Sequence, residues 1–135
     1  MSDCIFCKII NNEIPSIKIR EDENFIALLD VFPNIKWQAL VMPKKHYDSD
    51  ISEVEPQIAQ DIITATQKVI KLLKKWLGVK RVGIVVEWLQ VNHLHIRLYP
   101  FYKDYGFENG IEAWEKANFQ ELKELADKIT EKDWF

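Results

Sequence analysis

Between Pro56 and Gly78 the chain carries one long helical period, and it is bracketed on both sides by short apolar runs too brief to be helices. Apolar residues at Ile58, Ile62, Ala65, Val69, Leu72 and Trp76 fall in alternating steps of three and four, which puts them on one face of a helix starting near Ser52. Pro56 suits its first turn and Gly78 its C-terminal stop. The lysines of "QKVIKLLKKW" suit the negative end of the helix dipole better than they suggest a membrane-surface helix. A single-faced helix must bury its stripe against something, and the flanking runs supply a sheet. "SIKIREDENFIALLDV" reads as a hairpin turned by "EDEN", "QALVMP" as a strand stopped by Pro43, and "RVGIVVEW" and "HLHIRLYP" as two further strands, central by their apolarity. "CIFCKIINNEIP" reads as a short helical turn. Leu122, Leu125, Ala126 and Ile129 mark a last amphipathic helix before the aromatic end "DWF". Strands outnumber β-α-β alternations, so the expected class is α+β: an antiparallel sheet of about five strands with one long central helix and a C-terminal helix, in a single domain over residues 1–135.

Composition narrows the function classes. A net charge of −3 argues against bulk binding to nucleic acid or an anionic membrane, although a compact nucleotide site needs no basic surface. No segment reaches the roughly 20 apolar residues of a membrane span, and the first residues hold no apolar run of signal-peptide length, so the expected setting is cytoplasmic. A disulfide between Cys4 and Cys7 would close almost no loop, which leaves metal ligation or redox chemistry for the pair.

The residues that carry chemistry cluster in "HLHIRLYP". In an extended strand His93, His95, Arg97 and Tyr99 share one face, with Leu94, Ile96 and Leu98 on the other, directed into the core. One imidazole on a strand is usually a satisfied polar group; two at this spacing, followed by arginine, call for a function. The full stock of thiol and imidazole ligands is Cys4, Cys7, His46, His93 and His95. A tetrahedral zinc takes four ligands, commonly two of each kind. A Cys-x-x-Cys turn offers two thiolates, two histidines complete the set, and one histidine is left over. Counting does not say which.

Four motifs in order, "CIFCKIINNEIPS", "EDENFIALLDVFP", "ALVMPKKHY" and "HLHIRLYP", resemble the histidine triad (HIT) family, in particular its bacterial Hint-like branch. The resemblance runs from Cys4 to about Pro100. It implies that Cys4, Cys7, His46 and His93 ligate a structural Zn²⁺ and that His95 is the nucleophile. The implied activity is nucleotide hydrolysis or nucleotidyl transfer at the α-phosphate of a nucleoside phosphoramidate or polyphosphate, through a covalent nucleotidyl-His95. Asp30 then accepts hydrogen bonds from ribose hydroxyls, Ile5, Phe6, Ile9, Leu28 and Val31 wall the base, and Gln90 lies in the loop beside the phosphate. A homodimer is implied too.

The chain departs from that family's pattern in three places. Arg97 replaces the third histidine of the triad; it can hold phosphate but cannot readily protonate a leaving group. Trp37 and Gln38 stand where family members usually have Gly-His. "EWLQVN" shortens a glycine-rich phosphate loop and puts Glu87, Trp88 and Gln90 in place of small residues, which disfavours a phosphate nest. These changes keep an alternative in view: a catalytically weak or inactive zinc-stabilised module that binds a nucleotide or a protein. A redox role for "CIFC" ranks below both, because the β-α-β context of a thioredoxin-like motif is missing.

Overall fold

The computed structural model describes residues 3–87, 89–102, 118, 120, 121, 123 and 124. In chain order the elements are α1 (Ile5–Ile10), β1 (Ile17–Glu21), β2 (Phe25–Leu29), β3 (Ala39–Pro43), α2 (Pro56–Leu77), β4 (Val82–Val86) and β5 (Ile96–Pro100). The five strands form one sheet in the order β1-β2-β3-β5-β4, every neighbouring pair antiparallel. This is the expected α+β class.

Strand parity divides the side chains between two cores. Ala27, Ala39, Val41, Ile96 and Leu98 point to one face and pack with Ile62, Val69 and Leu73 of α2 and with Leu94. Their strand neighbours Ile26, Leu28, Leu40 and Met42 point to the other face, where Phe6 of α1 closes a smaller core. Both faces of the central strands are therefore covered, although on the second face the cover is six residues long. Arg97 and Tyr99 have the parity of that second face.

Helix α2 begins with Pro56 in its first turn and ends at Gly78, whose φ of 68° is left-handed and whose N–H bonds to the carbonyl of Lys74. Its buried residues are Ile62, Thr66, Val69 and Leu73. Leu72 and Trp76, expected on the inner face, are displaced from it, and Trp76 is 76% exposed. From Ile62 the helical period reaches Thr66, then Leu73; a polar residue in the correct phase hides the stripe, and Thr66 is tolerated there because its hydroxyl donates to the Ile62 carbonyl at 2.7 Å.

Two further expectations change. Strand β4 is at the edge of the sheet rather than its centre, and Ile84 and Val85 are exposed. A continuous Val/Ile run states that both faces are apolar; it does not state how many neighbours the strand has. Residues 93–95 precede β5 instead of belonging to it, and His93, His95 and Tyr99 are buried, not set on an open surface. The last helix lies largely outside the described residues, as do Leu122, Leu125, Ala126, Ile129 and Trp88.

Candidate metal and nucleotide site

The Cys-x-x-Cys turn caps α1: the Cys4 sulfur accepts from the Cys7 N–H at 3.5 Å, so both thiols face the same side of the first turn. The segment after β3 is clipped to the segment before β5. Leu94 N–H donates to the Tyr47 carbonyl at 2.9 Å, and the Ser49 N–H and hydroxyl both donate to Asn92 Oδ1, at 3.0 and 2.9 Å. These bonds bring His46 to His93 and set both beside α1.

There the ligand atoms of Cys4, Cys7, His46 and His93 all lie within 4.8 Å of one another. The two Nδ1 atoms of His46 and His93 are 3.2 Å apart, and the sulfur-to-nitrogen separations are 3.4, 3.5 and 3.6 Å. A tetrahedron with zinc-like bond lengths has edges of about 3.3 Å between nitrogens and about 3.6 Å between nitrogen and sulfur. The donor chemistry agrees with the geometry. His93 Nε2 lies 2.9 Å from the Pro43 carbonyl, which can only accept, so Nε2 carries the hydrogen and Nδ1 presents its lone pair to the cluster. Burial holds the His93 pKa down at about 4, keeping that ring neutral; burial and then Cys4 raise the Cys7 thiol. Converging lone pairs and thiols with no cation between them would repel, and the four side chains fit a tetrahedral metal ion.

His95 faces away from this cluster. Its Nδ1 donates to the carbonyl of His93 at 2.7 Å, which fixes the tautomer in which Nε2 is free to act. Phe6 packs edge-on against the ring at 5.1 Å. Nε2 is not open to solvent: it meets Glu87 Oε1 at 3.3 Å. The Glu87 carboxylate thus occupies the space in front of Nε2. The same carboxylate oxygen is 3.2 Å from Arg97 Nε, a charge contact without hydrogen-bond alignment; that N–H is the buried side-chain polar atom left without a hydrogen-bond partner among the described residues. Arg97 Nη2 donates to Gln90 at 2.9 Å. Burial alone would raise the Glu87 pKa, yet the Leu89 N–H, Arg97 and His95 hold it below the usual carboxylate value.

Next to this polar group opens an apolar cleft of about 220 Å³ whose lining includes Ile5, Phe6, Ile9, Leu28, Asp30, Val31, Gln90 and Arg97. Every residue nominated from the sequence for nucleotide contact is in its wall. Asp30 is held at the end of β2: Oδ1 accepts from the Phe32 N–H at 2.9 Å and Oδ2 from Gln38 Nε2 at 2.7 Å. Gln38, fully buried, also accepts from the Asn34 N–H at 2.9 Å. Its neighbour Trp37 adopts φ 65°, a left-handed conformation that suits glycine.

Sequence reasoning treated Gln38 and Glu87 as departures from a pattern and missed what they hold. Glu87 could have been found from strand pairing. Val85 faces Arg97 and Val86 faces Ile96 across β4 and β5, so one residue further on Glu87 comes opposite His95. The same extrapolation links Gln38 to Asp30: Leu29 faces Ala39 across β2 and β3, so one residue beyond each the two come opposite, and the Asp30 N–H donates to the Gln38 carbonyl at 2.9 Å.

Residues 11–104 match the HIT domain family. A HIT-like protein of Methanocaldococcus jannaschii is 41% identical over 108 residues, spanning 76% of this chain and 82% of that one. A Schizosaccharomyces pombe protein named adenosine 5′-monophosphoramidase is 30% identical, over 96% of this chain and 97% of its own length. A crystal structure from Streptococcus mutans superposes with a TM-score of 0.80 at 31% identity, covering 97% of this chain and 85% of that one.

Proposed function

The chain belongs to the HIT domain family, and from that premise we propose that it is a nucleotide hydrolase or nucleotidyl transferase acting at the α-phosphorus through a covalent nucleotidyl-His95 intermediate. The observation that carries the reading is the short bond from His95 Nδ1 to the His93 carbonyl, made beside a cleft whose wall includes Asp30 and Arg97. It directs the lone pair to Nε2, 3.3 Å from the Glu87 oxygen that Arg97 also contacts. The activity named for the Schizosaccharomyces pombe relative supports the same class of substrate.

The base lies between Ile5, Phe6, Ile9, Leu28 and Val31, and the ribose hydroxyls donate to Asp30. Once Glu87 has withdrawn, Nε2 attacks phosphorus, a P–N bond to His95 forms and the bond to the leaving group breaks. Arg97 offers its guanidinium to the phosphate oxygens, whose charge grows in the transition state. It cannot pass a proton to the departing group, which takes one from solvent. Water then attacks the adduct, the P–N bond breaks, and the nucleoside monophosphate leaves with His95 restored. Substrates with good leaving groups are therefore favoured.

Cys4, Cys7, His46 and His93 would hold a structural Zn²⁺, which when bound ties α1 to the segment that carries His95. A cytoplasmic homodimer completes the reading; light scattering at twice the 16.0 kDa chain mass tests it. None of the described helices is long and apolar enough to cross a membrane.

One observation favours a second reading, a nucleotide-binding module without turnover: the carboxylate of Glu87 set against the nucleophilic nitrogen. Mass spectrometry after mixing with an adenosine phosphoramidate separates the two. The enzyme reading expects an adduct of one nucleotidyl group in the wild type, absent in His95→Ala and weakened in Arg97→Ala. Nucleotide binding with neither adduct nor turnover gives the second reading.

A further inference from the structure

Glu87 is the charged group of this site that nucleotidyl transfer does not use, yet it is firmly placed. Its Oε2 accepts from the Leu89 N–H at 2.6 Å. Its Oε1 stands 3.3 Å from His95 Nε2 and 3.2 Å from Arg97 Nε, and the side chain is 16% exposed. A nitrogen poised for attack needs the phosphoryl group about 3–3.5 Å away. That place holds a carboxylate oxygen. The groups round it, an imidazole nitrogen and a guanidinium, are those that suit a phosphate, and among the described residues Arg97 is the single basic one in the wall of the adjoining cleft.

We propose that Glu87 is the specificity-determining residue of this site: a tethered carboxylate that occupies the phosphate subsite of the free protein and sets how much negative charge a ligand may carry there. The proposal rests on the nucleotide reading above and deepens it. A ligand phosphate must displace Oε1 from His95 and from Arg97 together. The displaced carboxylate remains on its short tether beside Leu89, close enough to repel the phosphate that replaced it. Each further phosphate adds to that repulsion. An uncharged nucleoside fills the apolar cleft and reaches Asp30 without disturbing Glu87. The site thus selects substrates whose α-phosphorus carries an uncharged or cationic leaving group, and selects against di- and polyphosphates.

The test is a charge ladder read by isothermal titration calorimetry on the full chain. Adenosine, AMP and ADP are titrated into the wild type, Glu87→Gln and Glu87→Ala, with guanosine, GMP and GDP in parallel. Glu53→Gln, an exposed change far along the chain, controls for net charge. Adenosine affinity is expected to stay within about twofold across all proteins, while AMP binds at least about tenfold more tightly once the carboxylate is gone. ADP is expected to gain more than AMP. Glu87→Ala must give the same order, which keeps the test open if the amide of Glu87→Gln rearranges the loop, and melting curves verify folding of each variant. If AMP binds and its affinity relative to adenosine is unchanged in both variants, Glu87 is a counter-ion only and the proposal fails while the nucleotide reading stands. If neither nucleosides nor nucleotides bind to the wild type or to either variant, both fall.

Discussion

His93 reaches the carbonyl of Pro43 across 2.9 Å, joining the last residue of β3 to the segment that enters β5. The bond makes His93 bifunctional: Nε2 is anchored to the sheet and Nδ1 is turned to Cys4, Cys7 and His46. The His93 carbonyl then orients His95. Only Leu94 separates the cluster's His93 from the proposed nucleophile His95 in the chain, so disorder in the first reaches the second.

Metal removal follows directly. The purified protein is expected to hold one equivalent of zinc by elemental analysis. His46→Ala and Cys7→Ser each delete one of the four proposed ligands while leaving the His93–Pro43 bond in place, and both are expected to lose the ion on dialysis. Loss of the ion, by chelator or by either variant, is expected to lower the melting temperature by about 10 °C, since binding to the folded state alone is stabilising. An equal melting temperature with and without chelator would remove the structural role.

The hairpin turn carries a pH-sensitive support. Asp22 Oδ1 accepts from the Asn24 and Phe25 N–H groups, each at 2.8 Å, and these two bonds hold its carboxyl below the usual aspartate value of 3.8. A depressed folded-state pKa means that the unfolded chain takes up the proton first. The stabilisation is therefore complete above pH 3.8 and is lost as pH falls through the lower folded value. Asp22→Ala is expected to cost about 1 kcal/mol at pH 7, and the gap from wild type is expected to narrow in acid. Urea melts at pH 7 and pH 3 measure both.

Much of this architecture was legible because its signals are local. The 3.6-residue period of α2, its Pro56 and Gly78, and the short apolar runs of β2 and β3 each need only neighbouring residues. What was hidden depends on pairing. A continuous apolar run says that both faces are apolar but not how many neighbours the strand has, so "RVGIVVEW" looked central although it is an edge. The alternation of His93, His95, Arg97 and Tyr99 assigns one face, and that face is covered rather than open because α1 brings Phe6 against both imidazole rings. In the site, ligand types could be counted along the chain; that Glu87 would close on His95 required the register of β4 against β5.

Asp30 provides a test of sugar recognition. Its carboxylate already accepts one backbone and one side-chain hydrogen bond, which fix its direction and leave lone pairs toward the cleft. Adenosine is expected to bind at least about tenfold better than 2′,3′-dideoxyadenosine, the worth of a hydrogen bond to a charged group. Asp30→Ala is expected to erase that ratio while sparing the contribution of the apolar wall. Calorimetry with the two nucleosides decides it; an unchanged ratio would take Asp30 out of the ribose contact.

Gln38 is a sharper case because it is fully buried and uses both ends of its amide. Nε2 donates to Asp30 and Oε1 accepts from the Asn34 N–H, so the side chain supports the turn that leads from β2 to β3 as well as the carboxylate at its start. Gln38→Ala leaves a carboxylate oxygen and an N–H without partners and is expected to cost about 2 kcal/mol of stability. Gln38→Glu keeps the shape but sets a second carboxylate against Asp30, and is expected to be less stable again at pH 7. Denaturation midpoints rank the three proteins. The same two variants are expected to weaken adenosine binding, since an Asp30 released from Gln38 no longer holds its direction. If Gln38→Ala binds adenosine as the wild type does, the Gln38–Asp30 bond serves the fold alone.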